Sequence, residues 1–257
     1  MAEIEAIIAD PNATLRLIAK ADLHSEYPVF SANLAVDELH LKPLNLYAED
    51  LGIRGKFQAN FASTDPEDPR GILVINEGIL LQNEKAIPLQ NAMLQLDNQN
   101  GERLAIIDAP FLKAKATGVF RYVQLADMML TEINRYFSLP DVSYKPITEP
   151  YRFKLEGKLS NHPVLGAFVP ELTRLDTVRF TMQLDSQRDT ALLARIIAPL
   201  VEYDSIVVNN ADFGVLGAEG QAAYVGHVDK ILYDTYQIKR AYLDGKVANS
   251  VVDFNLA

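Results

Sequence analysis

The feature that most constrains this chain is a strict alternation of apolar and polar residues, the period of two that belongs to a strand with one apolar face. In residues 53–61 (IRGKFQANF), Ile53, Gly55, Phe57, Ala59 and Phe61 share one face, and Arg54, Lys56, Gln58 and Asn60 share the other. Residues 112–120 (LKAKATGVF) repeat it, with Leu112, Ala114, Ala116, Gly118 and Phe120 on one side. Val178, Phe180, Met182 and Leu184 do the same, as do Val252, Phe254 and Leu256. Turn signals separate the runs: Asp65 to Gly71 (DPEDPRG), Asn98 to Gly101 (NQNG), Gly217 to Gly220, and Asp244-Gly245. Asn100-Gly101 and Asp244-Gly245 are dipeptides that two-residue hairpin turns favour. A mainly β fold of antiparallel strands is expected.

Two segments change period. In VQLADMMLTEINRYF, Leu125, Met128, Met129, Ile133, Tyr136 and Phe137 fall at helical spacing, which predicts an amphipathic helix near 123–138 stopped by Pro140. In NHPVLGAFVPEL, Asn161 as a cap and Pro163 in the first turn predict a short helix near 162–173, limited by Pro170. With the Pro-containing connector PDVSYKPITEP, these divide the chain into an N-terminal β-sheet segment (1–120), a helix and connector (121–150) and a C-terminal β-sheet segment (151–257). A continuous sheet running through both segments would read identically.

The apolar faces need covering, and 49% hydrophobic residues are enough to fill a core or line a groove. In a sandwich or closed barrel the cover is more sheet. In an open trough the inner face stays apolar and available to a ligand. Alternation alone leaves both open.

The chemistry is defined mostly by exclusion. Acidic residues outnumber basic ones by 34 to 24, and the formal charge of −10 repels phosphate backbones, so nucleic acid is not an expected partner. Basic and aromatic residues are not interleaved in a patch that would stack bases. There are no cysteines, which removes disulfides, thiolate metal sites and cysteine nucleophiles. No GxSxG, HExxH, GxGxxG or phosphate-binding GxxxxGK[ST] occurs. Gly214, Gly217 and Gly220 match none of these spacings and read as turn or bulge residues. His24, His40, His162 and His227 lack partners at ligand spacing and read as surface or helix-cap residues, and Pro66 and Pro69 interrupt the acidic loop Asp65, Glu67, Asp68. No enzyme activity, metal or cofactor is expected. The N-terminus carries acids where an export signal carries bases, and no run reaches the roughly 18 apolar residues of a spanning helix.

The succession DPEDPRGILVINEGILL, LAIIDAPFLKAKATGVF, LADMMLTEINRYF and NHPVLGAFVPELTRL resembles, in pattern and order over nearly the whole chain, the TamB translocation and assembly module family of the AsmA-like superfamily. The resemblance implies an elongated, twisted antiparallel sheet curled into a taco-like hydrophobic groove, part of a periplasm-spanning bridge anchored to the inner membrane. It implies phospholipid acyl chains as ligand, carried between inner and outer membranes, and a BamA-like outer-membrane partner in β-barrel protein assembly. Neither the family's membrane helix nor its partner-binding region is recognisable, so the chain reads as an internal fragment with Met1 foreign to it. The family has no catalytic residues to carry over. The residues expected to line the groove are Phe57, Ala59, Phe61, Leu112, Ala114, Ala116, Phe180 and Met182. Packing against Leu125, Met129 and Ile133 of the helix would select the same residue types.

Two other functions fit the same residues. One is a scaffold or chaperone that offers a sheet edge to outer-membrane strands by β-augmentation. The other is a hydrolase or sugar-binding β-protein using Tyr203, Tyr224, Tyr233, Tyr236 and Tyr242.

Overall fold

The computed structural model describes residues 2–24, 26–82 and 85–257, so Met1 lies outside the described residues. The alternating runs form strands β1 (Ala2–Asp10), β2 (Ala13–Asp22), β3 (Val29–His40), β4 (Leu51–Ser63), β5 (Arg70–Gln82), β6 (Lys85–Gln99), β7 (Glu102–Asp108) and β8 (Leu112–Val119). The series continues with β9 (Arg152–Leu159), β10 (Leu172–Leu175), β11 (Val178–Asp185), β12 (Thr190–Tyr203), β13 (Ile206–Ala218), β14 (Gln221–Tyr233), β15 (Tyr236–Ala248) and β16 (Val251–Leu256). All sixteen belong to one antiparallel sheet in which strands pair in chain order, except that β10 leaves the path to pair with β12. The path does not close. Of the covers considered above, a separate second sheet is therefore absent among the described residues, and so is a closed barrel. Strand makes up 66% of the chain and helix 8%, far too little helix to cover every apolar face.

The chain divides into two compact units. Unit 1 comprises residues up to Asn98 with Leu104–Lys113 and His162–Phe168; unit 2 comprises Gln99–Arg103, Ala114–Asn161 and Val169–Ala257.

In unit 1 a line of irregularities crosses four adjacent strands. Register shifts lie between Val36 and Leu39 on β3, Arg54 and Lys56 on β4, and Ile75 and Gly78 on β5. Gly55, Glu77 and Gln90 hold φ of 144°, 54° and 55°. Such bulges bend a strand and raise its local twist. They also change the apolar spacing from two to three, as from Val36 to Leu39, so the apolar set can keep its side of the sheet past the defect. Beyond this line Leu51 and Leu80 are buried under helix α2 (Pro163–Phe168), whose Val164 is 2% exposed. Unit 2 carries its own line: Asn210 and Arg240 hold φ of 52° and 56°, and Asn210 donates a 2.8 Å side-chain hydrogen bond to Asp229 between them.

Both helices are shorter than their sequence patterns imply. Helix α1 spans Leu125–Asn134 after a 3-10 turn at Tyr122–Gln124. It closes before Pro140 because the N–H groups of Arg135 and Tyr136 reach back three residues, to the carbonyls of Glu132 and Ile133, and tighten the last turn. Helix α2 stops at Phe168, and Leu172 to Leu175 becomes strand β10, because β12 offers that segment a pairing edge. At its start, the Nδ1 of His162 rather than Asn161 accepts the Val164 N–H at 3.2 Å.

Two turn assignments also change. Asn100-Gly101 is a hairpin turn, with both residues at positive φ. Asp244-Gly245 instead lies inside β15, whose turns fall at Asp234 and at Asn249-Ser250. Gly245 is there for space: a Cβ would collide first with the Asp253 carbonyl of β16 and then with the Tyr224 side chain, which rests across the glycine. Gly217, similarly, is a strand residue of β13 lying beneath Tyr136, while Gly220 alone keeps a turn role, at φ 77°.

Candidate functional site: the apolar sheet faces

Strand register decides whether alternating residues scatter or align. In unit 1 they align into three rows running across six strands. The first is Ile4, Ala19, Ala32, Ala59, Leu73 and Leu94; the second Ala6, Leu17, Leu34, Phe57, Ile75 and Ala92; the third Ala2, Ala21, Phe30, Phe61, Gly71 and Leu96. Every position is apolar or glycine, and none is buried. At about 4.8 Å per strand and 6.8 Å per residue pair, the field measures about 24 Å by 14 Å. Phe30 and Phe61 stack at 5.3 Å within it. The opposite face is mixed: one row is Glu3, Lys20, Ser31, Asn60, Ile72 and Gln95, and the next is Glu5, Ile18, Asn33, Gln58, Val74 and Met93.

Unit 2 repeats the arrangement over seven strands. One row is Gly157, Phe180, Ile196, Phe213, Gly226, Leu243 and Leu256; the next is Leu155, Met182, Ala194, Val215, Tyr224, Gly245 and Phe254; the third is Phe153, Leu184, Leu192, Gly217, Ala222, Val247 and Val252. The opposite face is mixed: Glu156, Thr181 and Arg195 lie in one row that runs on to Val225, Lys158 and Arg179 pair in another that runs on to Ile197, and Leu193 pairs with Leu216 in a third. Arg195 and Asp212 form an ion pair there, and the Arg195 guanidinium holds the Asp212 carboxyl below its usual range. His227 stacks on Tyr242 at 4.6 Å on the same side and contacts Asp229 at 3.2 Å.

One end of the unit 2 field is covered. Phe120, Met128, Tyr151, Phe153 and Leu184 form a buried cluster, with Ala116, Leu125, Met129, Met182 and Leu192 packed against it. The Phe120 and Phe153 rings meet edge to face at 5.1 Å. Ile133, which shares the helical spacing of Leu125 and Met129, stays 41% exposed. At the other end, Ile196, Phe213 and Leu256 are 44%, 39% and 72% exposed.

The eight candidate lining residues all lie on the more buried side of their strands, and none is fully buried. Phe57, Ala59 and Phe61 occupy the unit 1 field, and Leu112 lies at the end of that unit. Ala114, Ala116, Phe180 and Met182 belong to unit 2, where Ala116 and Met182 pack under α1. Of the five tyrosines, Tyr203, Tyr233 and Tyr236 share one exposed cross-strand row through Ile206, whereas Tyr224 lies in an apolar row and Tyr242 stacks on His227 opposite. Among the described residues, no three His, Asp or Glu side chains group as metal ligands, and no helix is long and apolar enough to cross a membrane.

The feature that pattern reading missed is Glu132, the one charged residue buried among the described residues, at 1% exposure. Its carboxylate accepts hydrogen bonds from the Tyr136 hydroxyl at 2.7 Å and the Tyr151 hydroxyl at 2.8 Å, with Arg135 Nε at 3.3 Å. Burial, together with the neighbouring carboxylate, pushes both phenols well above their ordinary range, so both stay protonated donors. The signal was present in the sequence: Met128, Glu132 and Tyr136 are spaced by four and so share one helix face, placing an acid in the apolar stripe. No family model, curated protein or solved structure matches this chain.

Proposed function

We propose that this chain is a non-enzymatic segment of a periplasm-spanning bridge, carrying phospholipid between inner and outer membranes with the acyl chains held on its apolar sheet faces. The observation behind this reading is the register of unit 1: eighteen aligned positions, all apolar or glycine, none of them buried. A monomeric protein rarely leaves a contiguous apolar patch larger than a few hundred Å² open to water unless something binds there. An acyl chain gains about 0.8 kcal/mol per methylene buried and requires no polar partner. The resemblance to the TamB family points the same way.

The test is lipid extraction and native mass spectrometry on the purified chain, alongside Phe57→Glu and Phe180→Glu variants checked by circular dichroism. Co-purifying phospholipid that is lost from the folded variants is the expected result. A lipid-free, stably folded parent protein would remove the proposal.

A further inference from the structure

Between β8 and β9 the chain does more than connect two strands. Helix α1 rests on the cluster around Phe153 and Leu184, and the segment after it continues along the same end of unit 2. The Tyr136 ring lies over Gly217 of β13, where any Cβ would collide with it. At the far side the Tyr136 carbonyl accepts the Ser250 N–H at 3.1 Å, and Ser138 N–H donates to Ser250 Oγ at 3.0 Å, in the turn between β15 and β16. The return leg is tied back to α1: Lys145 N–H donates to Asp127 at 3.0 Å, and Ile147 N–H to Thr131 Oγ1 at 3.0 Å. Glu132 joins three parts of this path, its own helix, Tyr136 after it and Tyr151 before β9.

We infer that residues 121–150 form a latched strap that closes one end of the unit 2 apolar face, with Glu132 as the latch, and that the face open to a ligand begins on β11 between Met182 and Phe180. Two observations carry this independently. The covering contacts stop there: Met182 packs against the cluster beneath α1, whereas Phe180, two residues along the same face, is outside it. The latch chemistry is also costly to disengage, because a carboxylate with 1% exposure that loses its donors is left buried and unsatisfied. The strap therefore acts as a fixed end wall. A bound chain lies over the row that contains Phe180 and Phe213 and does not run beneath α1. Only the identity of that ligand rests on the lipid reading.

The chain contains no tryptophan, so a single introduced one reports its own surroundings. Phe180→Trp and Met182→Trp are compared by quenching with acrylamide, which reads exposure, and with a dibrominated fatty acid, which reads ligand contact. Both quenchers are expected to act severalfold more strongly on Phe180→Trp. Adding Tyr136→Phe and Tyr151→Phe to Met182→Trp is expected to raise its quenching to the Phe180→Trp level. If that variant loses its far-ultraviolet dichroism, Glu132→Gln replaces it. Equal acrylamide quenching at the two positions with the latch intact would overturn the inference, as would continued protection of Met182→Trp in a folded, unlatched variant. If acrylamide separates the positions and the brominated acid quenches neither, the strap stands and the lipid reading falls.

Discussion

Removing one phenol from Glu132 tests the latch most directly. Tyr136 and Tyr151 are each 5% exposed, and each donates one hydrogen bond to a carboxylate that has almost no contact with water. Hydrogen bonds to charged groups contribute about 1.5–3 kcal/mol, so Tyr136→Phe and Tyr151→Phe should each destabilise unit 2 by about that amount. For a chain of this size this corresponds to a fall in Tm of about 3–12 °C. The two share one acceptor and so should couple. After the first substitution Glu132 keeps one phenol; after the second it keeps only Arg135 at 3.3 Å, and the second loss should exceed the first. The assay is urea unfolding followed by circular dichroism, with all four members of the double-mutant cycle at neutral pH. If both single variants unfold within about 0.5 kcal/mol of the parent, the carboxylate is satisfied without the tyrosines and the latch reasoning is wrong.

The same pair sets an alkaline limit. Both phenols are raised above their ordinary value near 10 in the folded state, so their contribution is complete below that pH and is lost as pH rises above it. The slope should approach about 1.4 kcal/mol per pH unit for each tyrosine, and the double Phe variant should flatten it in the same pH-dependent unfolding series. Gly217→Ala should cost about 1–3 kcal/mol in urea unfolding, since its new methyl meets the Tyr136 ring and the strap must shift. Leu80→Ala, at a residue 4% exposed beneath α2, should cost about 2–5 kcal/mol in unit 1. By contrast Arg195→Ala should leave the urea unfolding midpoint essentially unchanged, because the guanidinium of its pair with Asp212 is 58% exposed and well screened.

The positions of the strands were legible because a half-buried strand writes its burial into its own alternation. Residues 53–61, 112–119 and 178–184 are strands with the faces that the pattern implies. Features resting on a partner elsewhere in the chain were not legible. Asp244-Gly245 has the composition of a turn, yet Gly245 sits mid-strand beneath Tyr224, a residue twenty-one positions away. Leu172 and Thr173 fell at the end of the expected helix, yet Leu172–Leu175 is strand because the edge of β12 offers it hydrogen bonds. Ile133 had the spacing of a core residue, and the cluster formed around Met128 without it.

By itself, then, the sequence determined that this chain builds strands with one apolar face, since period is a local property that each residue carries with its neighbours. Tertiary structure alone decided that these faces line up, because register depends on which residue of one strand meets which of the next. A slip of one residue would have placed Asn33 or Gln58 among the apolar rows. It also decided which part of the apolar surface is covered. In unit 1 the cover is helix α2 over Leu51 and Leu80, and in unit 2 it is helix α1, whose buried Glu132 accepts hydrogen bonds from Tyr136 and Tyr151.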